Sequence, residues 1–250
     1  MRAILTYHSL DDSGSPISLH PATFAEHVQW LASPRIRVVG LLELLAADPD
    51  VDAIAITFDD GFRNFETHAA PLLRDAGLPA TLFVVSNRVG DTNAWSESGD
   101  RGIPVLPLLG WGRLRRLTAA GVTIGAHGRT HRVLPGLDAA TLEDEVVACA
   151  DRIADELGEK PTSFAYPYGG VDEAVTAAVA KAGYGAACTT ELRALARNED
   201  PHLLPRLDAF YLRRPGQLER WGSRAFRGRL WIRARARGIR RHVENRGMQG

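Results

Sequence analysis

The sequence predicts an α/β fold, a closed or nearly closed β/α barrel of about seven strands followed by a basic helical tail. Three observations predict it. First, three helix-like stretches end at a glycine followed at once by an apolar run. Ala76-Gly77 precedes Leu78–Val85, Ala120-Gly121 precedes Val122–Ala126, and Ala182-Gly183 precedes Tyr184–Cys188. Glycine suits the left-handed position after a helix, and the run suits a buried strand. Second, strand-like runs near 2–7, 53–58, 80–85, 122–126, 162–166, 184–188 and 203–208 alternate with helical patterns, the mark of parallel β/α construction. Third, His8, Asp59, Asp60 and His127 stand where such runs end, and β/α barrels carry their sites at those ends.

Helices are predicted near 21–33, 40–47, 63–76, 111–120 and 172–182. A further helix places Leu142, Val146, Ala150, Ile153 and Leu157 on one face and ends near Gly158. Thr141-x-x-Asp144 resembles a capping box at its start. Segment 86–107 is rich in Gly, Pro, Asn and Ser and carries Trp95. It reads as a long loop at the barrel mouth, where substrate loops gather.

A chain of 250 residues fits one such core. Its charge sums to zero but is unevenly placed. Residues 220–250 hold 10 of the 30 Lys+Arg and one acid, Glu244, a net +9; the other 20 bases and 29 acids give residues 1–219 a net −9. An amphipathic basic helix carrying Trp221, Phe226, Leu230, Trp231, Ile232 and Ile239 is expected there. It suits peripheral contact with an anionic membrane, or packing on the barrel. No stretch approaches the ~20 apolar residues of a membrane span, and Met1–His8 lacks a signal-peptide core. The expected location is the cytoplasm, with the tail at the inner membrane face.

Cys149 and Cys188 lie in apolar stretches and read as buried small hydrophobes. Several chemistries find no motif: there is no Gly-x-Ser-x-Gly elbow and no phosphate loop. Gly183-Tyr184-Gly185 opens like a dinucleotide fingerprint, but Cys188 occupies its last small position. Despite the arginine-rich tail, no nucleic-acid-binding fold is recognisable, and no nucleic-acid partner is expected.

The sharpest local feature is Ala55-Ile56-Thr57-Phe58-Asp59-Asp60-Gly61, a buried run ending in two adjacent carboxylates. Two such anions repel, so they need a cation or a shared proton. The plainer alternative is a capping acid before the next helix. His127-Gly128-Arg129-Thr130-His131 sets two histidines four apart, a usual metal-ligand spacing, or else holds two unrelated loop histidines. One Asp with two His makes a three-ligand N/O site with open positions, which suits a catalytic ion better than a structural one. Tyr166-Pro167-Tyr168-Gly169 can form a rigid loop presenting backbone N–H groups to an oxyanion, or an ordinary turn. His8 is a general-acid candidate or a structural loop histidine.

With these residues in place, the sequence resembles the polysaccharide deacetylases of the NodB-homology type, carbohydrate esterase family 4. Thr57-Phe58-Asp59-Asp60-Gly61 matches the first family motif, His127-x-x-x-His131 the second, and Tyr166-Pro167-Tyr168-Gly169 the later part of the third. The resemblance implies a distorted (β/α)7-type barrel in a single domain, residues 1–215, with 216–250 as the appended tail. It implies removal of acetyl groups from an acetylated carbohydrate, with N-acetylhexosamine amides as the first expectation and O-acetyl esters as the alternative. A catalytically inactive carbohydrate-binding homologue is the remaining alternative. It further implies that Asp60, His127 and His131 hold one divalent ion, usually Zn2+, with Co2+, Ni2+, Mn2+ or Fe2+ as substitutes. Asp59 would be the base that activates water, and the Tyr168 amide, beside Pro167, would help hold the oxyanion. Trp95 and Asp208 are expected as further residues of the substrate site.

The sequence also departs from the pattern. Gly128 replaces the Ser or Thr that braces the first metal histidine. Ala165 replaces the arginine that orients Asp59. The late Leu-x-His motif is absent near 200–215. The Tyr7-His8 pair resembles the exopolysaccharide and poly-N-acetylglucosamine deacetylase subgroup, which assigns the general acid to His8, with His202 as the rival.

Overall fold

A computed structural model describes residues 1–95 and 102–247, with side chains described up to residue 236. Ile239 therefore lies outside the described side chains. Seven parallel strands form the wall: β1 (Arg2–Tyr7), β2 (Ala53–Phe58), β3 (Ala80–Val84), β4 (Thr123–Ala126), β5 (Ser163–Ala165), β6 (Ala186–Cys188) and β7 (Leu207–Asp208). Their order is β7-β1-β2-β3-β4-β5-β6, and a short strand Arg37–Val38 pairs with the start of β2. Between β6 and β7 the wall closes through a bridge from Cys188 to Leu204 rather than a ladder, so the barrel is distorted at that seam. The expected strand 203–208 thus divides at Pro205, which has no N–H to donate.

β1 and β2 are buried along their whole length, as strands covered on both faces must be. One side of the wall packs Leu5, Tyr7, Ile56, Phe58 and Val84 against the helices. The other side, with Ile4, Ala55, Phe83, Ala165 and Cys188, fills the interior. Its residues are mostly small, as a narrow barrel requires.

The helices are α1 (Pro21–Leu31), α2 (Leu41–Ala46), α3 (Ala70–Asp75), α4 (Trp111–Ala119), α5 (Ala139–Glu143), α6 (Cys149–Leu157), α7 (Glu173–Lys181) and α8 (Arg224–Gly247). Two differ from expectation. The helix predicted over 63–76 is a π-helical turn, Phe65–Ala69, running into α3. Pro71 lacks the N–H that a regular ladder would use there. The predicted 142–157 helix is α5, a π turn at Asp144–Ala148, and α6. It begins earlier than expected, because Asp138 is the cap: its carboxylate accepts from the Thr141 N–H at 3.0 Å. Thr141 is therefore inside the helix, not its cap.

The tail packs on the barrel through Phe226 and Leu230, and Trp221 meets Trp30 at 5.6 Å between ring centroids. Among the described residues, no helix is long and apolar enough to cross a membrane.

One buried histidine outside the site gives the fold a pH dependence. His27 on α1 meets the Tyr7 hydroxyl through Nδ1 at 3.0 Å and the Leu212 carbonyl through Nε2 at 3.2 Å. The carbonyl can only accept, so Nε2 carries the hydrogen and the Tyr7 hydroxyl donates to Nδ1. Burial pushes the pKa of His27 down to about 4. Between its ordinary value of 6.5 and about 4, the unfolded chain binds a proton that the folded chain refuses. This contribution is complete above pH 6.5 and is lost as the pH falls toward 4. His27→Gln should therefore remove about 2 kcal/mol from the stability difference between pH 7 and pH 5. Guanidinium unfolding of both proteins at the two pH values measures it.

Candidate active site

Three non-glycine residues have positive φ among the described residues: Asp60 (72°), His131 (64°) and Tyr168 (59°). All three belong to the predicted site. Strained backbone of this kind persists where the surroundings hold it, and it gathers at functional positions.

Asp59 and Asp60 follow β2, His127 follows β4, and the Pro167–Gly169 turn follows β5, so each enters from the C-terminal end of a strand. Neither acid caps the following helical segment, where Asn64 takes the cap position. Ligand atoms of Asp60, His127 and His131 all lie within 4.8 Å of one another, and all three residues are buried. Asp60 Oδ1 stands 3.4 Å from His127 Nε2 and 3.3 Å from His131 Nε2.

The tautomer of His127 sharpens this arrangement. Its Nδ1 lies 2.7 Å from the Ala165 carbonyl, so Nδ1 carries a hydrogen, and in the neutral ring Nε2 then offers its lone pair to an ion. Among the described residues, Asp60 Oδ1 is buried with no hydrogen-bond partner, and so is His131 Nδ1. An oxygen and two nitrogens converging in a buried pocket can hold a cation between them. Burial raises Asp60, yet His127 and His131 outweigh it and hold the carboxyl well below the usual carboxylate range. His127 is raised despite its burial, mainly by Asp60. Burial leaves His131 lowered.

Asp59 is 2% exposed and receives both guanidinium nitrogens of Arg206, each at 2.7 Å. Burial raises the Asp59 pKa, but the Arg206 charge outweighs it and the carboxyl is lowered. The expectation that Asp59 lacks an orienting arginine, drawn from Ala165, is therefore corrected. Arg206 reaches it from the segment leading into β7. Arg206 is itself 1% exposed and also donates to the Thr189 carbonyl at 2.9 Å. The signal in the sequence was an arginine inside the otherwise apolar run Leu203–Leu207.

The missing brace at Gly128 is likewise replaced. Glu145, 2% exposed, accepts from the Arg129 and Thr130 N–H groups at 2.8 and 3.0 Å and from the Thr130 hydroxyl. It thereby pins the turn between the two histidines. At Gly128 φ is +74°, and a Cβ there would sit 3.1 Å from Glu145 Oε2 and 3.3 Å from Pro167. A larger residue would compete with this brace. Glu145 shares the buried face of Leu142, Val146 and Cys149, so an acid on an apolar stripe was its visible signal. Cys149 and Cys188 are both buried and free, as expected, and Cys149 donates to the Gly128 carbonyl at 3.1 Å.

The remaining candidates divide. His8 Nε2 lies 3.7 Å from Asp59 Oδ2, at the same mouth. Trp95 stacks on His131 at 4.2 Å between centroids, and Tyr168 meets the same ring edge-on at 4.7 Å. Together with Arg88 and Arg132 they line a cleft of about 360 Å³. Gly169, at φ +72°, lets the Tyr168 turn lie against Thr190, where a Cβ would meet the Thr190 backbone nitrogen at 2.6 Å. Asp208 pairs in register with Thr6 and caps the next turn by accepting from the Phe210 N–H at 3.0 Å. His202 corrects the rival acid: its Nε2 contacts the Tyr184 carbonyl at 2.8 Å, before β6 begins and so at the opposite end of the barrel.

The model of the family described as polysaccharide deacetylase matches residues 46–187, more than half of the chain. The chain belongs to the polysaccharide deacetylase family. Within this family it is similar to YxkH of Bacillus subtilis (strain 168), a protein named for the same family. The two are 26% identical over 209 residues, covering 82% of this chain and 70% of that one. A chitin deacetylase of Pestalotiopsis sp is 26% identical over 117 residues, 47% of this chain and 34% of that protein. The barrel of this deacetylase-family chain is shared with two solved structures. IcaB from Ammonifex degensii has a TM-score of 0.71 at 22% identity, covering 84% and 93% of the two chains. The Streptococcus pyogenes deacetylase PplD, solved with acetate, has a TM-score of 0.70 at 18% identity, covering 82% and 91%.

Proposed function

We propose that this chain removes the N-acetyl group from N-acetylhexosamine units of a polysaccharide, oligosaccharide or glycolipid precursor. Asp60, His127 and His131 hold one divalent ion, zinc being the natural fit for one carboxylate and two imidazoles. The observation that carries this reading is the buried Asp60 Oδ1, without a hydrogen-bond partner among the described residues and facing two imidazole nitrogens. A divalent ion there supplies Lewis acidity toward the acetyl carbonyl and the attacking water.

The chain's own groups do the rest. Arg206 holds Asp59 ionised and fixed, and Asp59 takes the proton of the attacking water. The Pro167-Tyr168 turn brings the Tyr168 amide to the oxyanion. His8, beside Asp59, donates a proton to the departing amine as the C–N bond breaks. Trp95 and Tyr168 form the walls against which a sugar ring lies, and Asp208 steadies the β7 end of the mouth. Gly128 and Ala165, the departures from the family pattern, are offset by Glu145 and Arg206, which favours an active enzyme over an inactive homologue.

Acetate release from N-acetylated and O-acetylated saccharides, with metal chelated and then restored, tests the proposal. Release from the amide substrates that disappears on chelation and returns with metal is the expected result. His8→Ala should slow amide cleavage by about 10²–10⁴-fold and ester cleavage less, since an alkoxide leaves more readily than an amine. Release from esters alone would replace the amide reading, and no release at all would refute both.

A further inference from the structure

The outer face of α8 has no role in the chemistry above. Phe226 and Leu230 turn inward, at 5% and 6% exposure, whereas Trp231 and Ile232 stand 58% and 62% exposed. Arg224, Trp231 and Arg235 fall along one helical line, at i, i+7 and i+11, with Arg227 and Ile232 on its flanks. Arg235 lies over the Trp231 ring at 4.4 Å. Arg224, Arg227, Arg229 and Arg235 are exposed, and none forms an ion pair among the described residues. The helix sequence has no acid before Glu244. Trp231, Arg227 and Arg235 also line a groove of about 700 Å³, which Leu192, Leu195 and Leu230 make largely apolar.

We propose that this face docks on an anionic lipid bilayer. Unpaired arginines draw the helix to acidic headgroups, and their stems can run along the interface while the guanidinium groups stay in water. Adjacent exposed Trp and Ile then enter the headgroup boundary, which suits an interfacial helix and serves no purpose in purely ionic binding. The net charge of +9 over residues 220–250, against −9 on the rest, favours approach of the tail to the acidic surface. The inference stands apart from the deacetylation reading and survives its failure.

The full chain is sedimented with vesicles of phosphatidylcholine alone and of phosphatidylcholine mixed with phosphatidylglycerol. Binding to the mixed vesicles only, weakened by salt, is the expected result. Trp231→Ala/Ile232→Ala should lower that partitioning by about tenfold or more, and Arg227→Gln/Arg235→Gln likewise, with melting temperatures unchanged. Quenching of the parental protein by brominated lipid needs no substitution. Trp231 is the most exposed described tryptophan, so quenching on the mixed vesicles supports the proposal. Absence of vesicle binding, absence of quenching, or unaltered binding by the Trp231/Ile232 variant would overturn it. Tighter binding of single-stranded RNA than of vesicles would replace the bilayer with a nucleic acid.

Discussion

Asp59→Asn is expected to cut acetate release by about 10²–10⁴-fold while metal binding persists. The substitution keeps the shape of the side chain and removes its ability to take a proton. It also leaves Arg206 buried without its counter-charge, and removing one partner of a buried pair costs about 3–5 kcal/mol. The variant should therefore melt at a lower temperature as well as turn over slowly. Asp59→Asn/Arg206→Met separates the two effects. It removes both charges, so it should recover much of the stability and none of the activity. Recovery of activity in the double variant would show that Asp59 serves only the fold.

Arg206→Met is the second large effect. It leaves the Asp59 carboxylate in a 2% exposed position without its guanidinium partner, with the His8 imidazole 3.7 Å away. The cost in stability is again about 3–5 kcal/mol. Asp59 would also lose the fork that fixes its two oxygens, and small displacements of a catalytic group cost rate steeply. Turnover should fall by roughly 10–100-fold, chiefly in kcat, with metal stoichiometry unchanged. A merely structural arginine would lower the melting temperature and leave kcat intact at temperatures where the variant is folded.

Much of the barrel is legible in the sequence because the strands are buried on both faces and read as apolar runs. β1 and β2 match the predicted spans, Arg2–Tyr7 and Ala53–Phe58. Legibility ends where backbone geometry departs from the regular periods. The π turns at Phe65–Ala69 and Asp144–Ala148 look helical in sequence, since i→i+5 bonding leaves no distinct apolar spacing. The second of these turns carries Glu145. Asp60, His127 and His131 are readable because they cluster within short motifs. Arg206 reaches Asp59, and Glu145 reaches Arg129 and Thr130, from 147 and 15–16 residues away in the chain, and no local spacing encodes such a contact. Both do appear as charges in apolar runs, which a buried hydrogen-bonding or charged partner must explain.

The central claim is that Asp60, His127 and His131 share one divalent ion. Titration of the chelated protein with Zn2+, followed by calorimetry and metal analysis, tests it without any assumption about substrate. One ion per chain is expected, with binding lost in His127→Ala and His131→Ala and retained in Asp59→Asn. A parental protein that takes up no ion, or histidine variants that bind as the parent does, would contradict it.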